Sequence, residues 1–401
     1  MYSPKRKRNT VTTTTKKPSL KKKKLSHSPP PTPIPSLPDD MLLSIFARVS
    51  RVYYPILSLV SKSFRSLIAS PELYETRSLL GRTESCLYLC LQERNPDSNP
   101  LWFTHCLKPD RTLTKGTRKT KKTKKSRGNI LIPIPVPNPP LAHWSGHASV
   151  GSDIYFFGGY IENENVPSSR VLVLDCRSHT LREAPSMKRE MLHTFATVID
   201  GKIYVAGGNQ DEDTDSLYPI EIFDSKTQIW DHMPIPYWGQ NWGGLSISAC
   251  VEGKFCMVFG RMAMAYDLEE CRLDFVDCQM ARSWCWSCNC TIDNVLFRYG
   301  GAIRWYDTKQ SLWKNVKGLK GLLPKFGKNV YVKLVDYGGK MAAFWASLVS
   351  PRKGKYKTIW CAVIALERPN SEEIWGKVEW YEAVLTVPVS YEFEHALAVI
   401  V

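Results

Sequence analysis

The rhythm of apolar and polar positions changes twice along the 401-residue chain. Residues 1–35 show no periodicity; they are basic and rich in Thr and Pro, which predicts a disordered tail. From 36 to 80 the spacing is helical. Leu42, Ile45, Phe46 and Val49 fall at i, i+3, i+4 and i+7, behind Pro38, Asp39 and Asp40, which suit the positive end of a helix. Pro55 opens a second predicted helix with Ile56, Leu57, Val60, Phe64, Leu67 and Ile68 on its apolar side, interrupted at Pro71. So short an amphipathic segment cannot bury its apolar surface alone; it must pack on the rest of the chain or on a partner.

Beyond residue 85 the pattern becomes short apolar segments separated by turn residues, and it repeats. An apolar run, a tight turn with Gly or Asx, and a second apolar run ending near Gly-Gly recur as SVGSDIYFFGGY, TVIDGKIYVAGGN and ACVEGKFCMVFGR. Weaker copies are TIDNVLFRYGGA and LVDYGGKMAAFWA. The strand after the turn is predicted to begin at Ile154, Ile203, Phe255, Val295 and Met341. A second motif follows: an apolar strand ending in Asp175, Asp224, Asp267 or Asp307, with Leu181, Trp230, Leu273 or Trp313 six residues on. VIALERPNSEEIW (363–375) is a longer fifth copy. Four strands per unit of roughly 45 residues is the sequence form of a β-propeller blade. CLYLCLQ (86–92) and LWFTHCL (101–107) read as the second half of a further blade, and HALAVIV (395–401) as its first strand. The expected fold is therefore mainly β: a propeller, read as six blades closed by both ends of the chain, behind a small helical domain. The predicted boundaries are a 1–35 tail, a 36–80 helical domain and an 86–401 propeller carrying a basic low-complexity loop at 108–129.

Charge refines this organisation. The net charge is +16, yet ten Lys/Arg lie in residues 1–30 and ten more, against Asp110 alone, in 108–127. The remainder is close to neutral, so the basicity belongs to two low-complexity segments, and a nucleic-acid partner is not expected of the folded parts. KRKR (5–8) and KKKK (21–24) read equally as a nuclear-import signal or a solvated tail. The absence of a secretory h-region and of any ~20-residue apolar stretch predicts a protein of the nucleus or cytoplasm, without membrane segments and with reduced cysteines.

The sequence offers little catalytic chemistry. There is no phosphate-binding loop with Lys and no G-x-S-x-G elbow. HWSGH (143–147) leads into a strand, where its two His side chains stand about 13 Å apart, too far for one ion. ARSWCWSCNC (281–290) holds a C-x-x-C, but alignment on the VID turn puts it on a first strand. Trp286, Cys288, Cys290 and Ile292 then share one face, while Cys285 points to the other, so these are read as packing residues. No cofactor and no metal are expected. Rim residues Arg189, Arg261, Arg282 and Arg304, with the aromatics Tyr237, Trp238 and Trp242 of PYWGQNW, are the candidates for binding a partner; the acidic run DEDTD (211–215) reads as a solvated loop.

SLPDDMLLSIFARVS followed by ILSLVSKSFRSLIASPELY resembles an F-box, and the two-Gly repeats resemble kelch repeats; together they are similar to the plant F-box/kelch-repeat family over about residues 36–401. The resemblance implies a non-catalytic substrate-recognition subunit of an SCF-type E3 ubiquitin ligase. The box would dock a Skp-type adaptor, and through it a cullin, while the propeller holds a protein substrate. The positions it implies for adaptor contact are Leu37, Pro38, Leu42, Ile45, Leu57, Val60 and Lys62. The other reading is a kelch scaffold without ligase association.

Overall fold

The computed structural model describes residues 37–94, 98–108, 128–136, 145–159, 166–208, 220–233, 245–259, 262–276, 280, 289–320, 331–349 and 354–401. Among the described residues, four helices come first: α1 (Asp39–Phe46), α2 (Tyr54–Leu57) behind a single 3-10 turn, α3 (Lys62–Ile68) and α4 (Pro71–Leu79). The second helix read from the sequence is thus broken in two. Ser61 is the reason: extended at φ −157°, it accepts the Phe64 N–H at 3.0 Å and starts α3 afresh.

Among the described residues, twenty-four strands follow. The first three are β1 (Ser85–Glu93), β2 (Leu101–Leu107) and β3 (Asn129–Ile134). Blade 1 is β4 (Gly146–Val150), β5 (Asp153–Phe157), β6 (Val171–Asp175) and β7 (Thr180–Ala184). Blade 2 is β8 (Leu192–Ile199), β9 (Lys202–Gly208), β10 (Ile220–Asp224) and β11 (Ile229–Met233). Blade 3 is β12 (Leu245–Val251), β13 (Lys254–Phe259), β14 (Met262–Asp267) and β15 (Arg272–Val276). Blade 4 is β16 (Asn289–Ile292), β17 (Val295–Tyr299), β18 (Ile303–Asp307) and β19 (Leu312–Asn315). Blade 5 is β20 (Val332–Tyr337), β21 (Lys340–Leu348) and the long pair β22 (Tyr356–Asn370) and β23 (Glu373–Pro388). Blade 6 joins the last strand, β24 (Tyr391–Ile400), to the first three in the order β24-β1-β2-β3.

The expected six-bladed ring, closed by distant parts of the chain, is therefore present. Its sixth blade differs in one respect from the reading of the sequence: residues 86–92 and 101–107 are its second and third strands. The fourth is β3, NILIPI, which the sequence reading had left unassigned at the edge of the basic loop. Pro133 within it is tolerated because an outermost strand needs no donor on its free side.

Every blade buries both faces, which is why its inner strands read as unbroken apolar runs rather than as clean alternations. Along β5, Ile154 and Phe156 point into a cluster with blade 6, whereas Tyr155 and Phe157 point into a cluster with blade 2. The described residues form such a cluster between each pair of neighbouring blades. The anchors Leu181, Trp230, Leu273 and Trp313 all lie in them. Trp230 of blade 2 meets Phe157 of blade 1 edge-on and donates its Nε1–H to the Pro185 carbonyl at 2.7 Å.

The acid six residues before each anchor has a local task. Asp175, Asp224, Asp267 and Asp307 each accept backbone N–H bonds from the turn that follows, and His179, Gln228, Cys271 and Ser311 then take left-handed φ of 49–60° to re-enter the sheet. The glycine pair is strictly required in blade 1. Gly158 and Gly159 have φ of +64° and +89°, and a Cβ on Gly158 would lie 2.5 Å from the Met191 carbonyl oxygen.

Candidate functional site

In a four-stranded meander, the turns joining strands one to two and three to four lie at the same end of the sheet. The helical box sits at this end, against blades 6 and 1. Phe46, Ala47, Tyr54, Leu73 and Tyr74 belong to the same buried cluster as Tyr88, Trp102, Ile154, Cys176 and Val401. Polar contacts reinforce it. The Arg77 guanidinium, 2% exposed, donates to the carbonyls of Val49 (2.8 Å) and Arg82 (2.7 Å), to Tyr54 Oη (3.0 Å) and to Glu84 Oε1 (2.8 Å). Glu84 also accepts from Ser50 Oγ at 2.7 Å and from the Arg51 N–H. Arg51 lies 5.6 Å above the Tyr74 ring and donates to the Cys176 carbonyl of blade 1. That carbonyl also receives the Tyr88 hydroxyl at 3.0 Å, and His179 Nε2 lies 3.0 Å from the same hydroxyl. Burial, with Arg51 as the second cause, holds the His179 imidazole neutral, its pKa lowered to about 4.

The other side of the box is apolar and uncovered. Met41 and Ile45, one helical turn apart, are 54% and 47% exposed; Leu59 and Val60, in the turn before α3, are 71% and 63% exposed. Lys62 beside them is also exposed. In the segment before α1, Leu37 and Pro38 are exposed as well. Leu42 and Leu57 differ: both are half-buried and pack against the box's own core. Met41 and Leu59 share this exposure but were not among the positions read from the sequence. The i, i+4 pairing of Met41 with Ile45 was the available signal.

The connections from second to third strands, and from each blade to the next, lie at the opposite end of the ring. Arg189 is exposed there, in the link from β7 to β8. Arg304 is half-buried on β18, between Arg298 of β17 and Asn315 of β19. Tyr237, Trp238, Trp242, Arg261 and Arg282 lie outside the described residues, as do residues 281–288, with Cys285 and Cys288, and the run 211–215. Of that cysteine stretch, Asn289 and Cys290 open β16, and Cys290 packs against the cluster containing Ile292, its thiol pushed up by burial. The same end exposes an apolar tip that the sequence reading overlooked: Leu348, Val349 and Tyr356 flanking the β21–β22 connection, and Val389 beside it, joined through the Val349 N–H to Tyr356 O and Val389 N–H to Lys355 O bonds.

The first strands of the blades surround a channel of about 460 Å³, lined among others by His147, Thr197, Cys250, Cys290, Asp336 and Leu397. His147 faces His395 with ring centroids 3.8 Å apart; burial and the nearby Lys333 ammonium lower its pKa to about 3. No group of three metal-ligating side chains occurs among the described residues.

Comparison with known proteins agrees with this arrangement. A family model for the F-box domain matches residues 34–76, and the model described as FKB95, Kelch-repeats domain, matches residues 102–385. An F-box/kelch-repeat protein of Arabidopsis thaliana is 72% identical over 401 residues, covering 100% of each chain. A second from the same plant is 52% identical over 410 residues, with 99% of each chain covered. Among solved structures, that of YjhT matches at 12% identity with a TM-score of 0.41, over 69% of this chain and 91% of its own.

Proposed function

This chain belongs to the F-box/kelch-repeat family, and on that premise we propose that it is the substrate-recognition subunit of an SCF-type E3 ubiquitin ligase. Its make-up is that of a substrate adaptor: an F-box joined to a kelch propeller. The box docks a Skp-type adaptor and, through it, a cullin. The ring holds a protein substrate at its far end, and the chemistry of ubiquitin transfer belongs to other subunits.

The observation that supports this reading most directly is the two-sided box. One side is pinned to the ring, and the other leaves Met41, Ile45, Leu59 and Val60 uncovered at the end of the molecule away from the long connections. An exposed apolar strip of this kind favours a protein interface over a solvated helix face. On the substrate side, Arg189 and the tip formed by Leu348, Val349, Tyr356 and Val389 are the contacts favoured among the described residues.

Retention on an immobilised Skp-type adaptor tests the proposal. Wild-type protein is retained, and Ile45→Asp with Val60→Asp weakens retention by more than about tenfold, the equivalent of ~1.4 kcal/mol. Absence of wild-type retention overturns the ligase reading and leaves a kelch scaffold.

A further inference from the structure

The box occupies the closure of the ring. Within blade 6, β24 pairs with β1, the only pairing in the described sheets that joins strands far apart in sequence. Where that pairing ends, Glu84 and Val401 exchange two backbone hydrogen bonds, of 2.9 and 3.0 Å, and the Ile400 N–H reaches the Gly151 carbonyl of blade 1 at 2.8 Å. The Glu84 side chain meanwhile turns into the box, where it receives Ser50, the Arg51 N–H and Arg77. One residue therefore holds the closing strand through its backbone and the helices through its carboxylate. Arg51 completes the span by reaching past Tyr74 to the Cys176–His179 turn of blade 1.

We propose that Glu84 and Arg51 are positioning residues that lock the box across the ring's closure, fixing the adaptor-facing surface at one distance from the far end of the propeller. The inference rests on the proposed ligase role for its purpose, but not for its geometry. Two units joined by a flexible hinge sample many separations, whereas a large apolar interface reinforced by buried polar contacts suppresses that motion. A ligase that must present substrate to a transfer partner benefits from such a fixed span, because positioning replaces a search.

The test measures the distance between spin labels introduced as non-canonical amino acids at the exposed Glu75 and Lys355 in the full chain, by electron–electron double resonance. Wild type gives one narrow distribution. Arg51→Ala and Glu84→Ala each broaden it about twofold or more, as expected once an interface loses its fixed orientation. Adaptor retention is unchanged, since the outward face is untouched. Should either variant fail to fold, His179→Ala carries the test, because it removes a ring-side partner of Arg51 and leaves the box's own contacts intact. Distributions as narrow as wild type in the folded variants overturn the lock. A wild type that broadens on Arg51→Ala yet never binds the adaptor keeps the lock and sinks the ligase reading alone.

Discussion

The two sides of the F-box use similar side chains to opposite ends. Inward, Phe46, Leu73 and Tyr74 disappear into a cluster shared with two blades, and Arg77 is enclosed with acceptors from Ala47, Val49, Tyr54, Arg82 and Glu84. Outward, Met41, Ile45, Leu59 and Val60 stand largely exposed among the described residues. Helical spacing alone does not separate these sets, because both lie on apolar sectors of short helices. What separates them is which polar groups stand nearby. The inward side brings carbonyls and Glu84 to its guanidinium groups, and the outward side carries exposed charges such as Asp40 and Lys62.

Breaking the inward side carries the largest expected effect. Arg77→Met takes the guanidinium from the Tyr54 hydroxyl and the Val49 and Arg82 carbonyls and leaves the Glu84 carboxylate with Ser50 and the Arg51 N–H alone; a loss of about 3–5 kcal/mol is expected from urea denaturation. The outward pair Ile45→Asp and Val60→Asp changes the same midpoint by less than ~0.5 kcal/mol. Comparable losses from both would erase the distinction between the sides.

Acidity sharpens the comparison next. His179 at the box–ring contact and His147 at the channel are neutral in the fold, with pKa values lowered to about 4 and about 3. The unfolded chain takes up these protons below about pH 6.5, so their contribution is complete above that value and is lost as pH falls towards 4. The shift at His179 corresponds to at most roughly 3 kcal/mol. Urea midpoints at pH 7 and pH 4.5 should differ less in His179→Gln than in wild type; equal differences would mean that His179 titrates as freely as in a peptide.

The smallest effect concerns the turns. Asp175→Ala removes an acceptor for the Arg177 N–H, costing about 1 kcal/mol, and it speeds amide exchange in α4 and the 3-10 turn because the box leans on this turn. Asp224→Ala loosens the corresponding turn of blade 2 while leaving exchange in the box unchanged. Faster exchange in the box with both variants would show a general softening of the ring instead.

Much of the ring was legible before the structure. Turn residues and the Asp-to-anchor interval mark backbone conformations that few residues satisfy, so the strand starts at Ile154, Ile203 and Phe255 were recovered to within one residue. The sixth blade was harder. Its strands come from distant parts of the chain, and β3 is a Pro-containing edge strand that carries neither the glycine pair nor the acid. In the box, the break before α3 was hidden by uninterrupted helical spacing, and only the capping geometry of Ser61 reveals it. Leu42 and Leu57 were placed on the adaptor surface by the resemblance to an F-box, which carries no information on burial; both are half-buried in this fold.

The four equivalent turns invite a different use. His179, Gln228, Cys271 and Ser311 share one left-handed backbone state, yet among the described residues only His179 contacts a side chain of the box, Arg51. The other three have no box contact to keep, since Gln228 and Cys271 bond to carbonyls of their own turns, and Gly or Asn would suit the backbone state of each. As copies of this gene diverge, neutral change should therefore accumulate in the turns of blades 2 to 4 while the first stays nearly fixed. A ring with repeated architecture thus acquires one blade whose history is tied to the box.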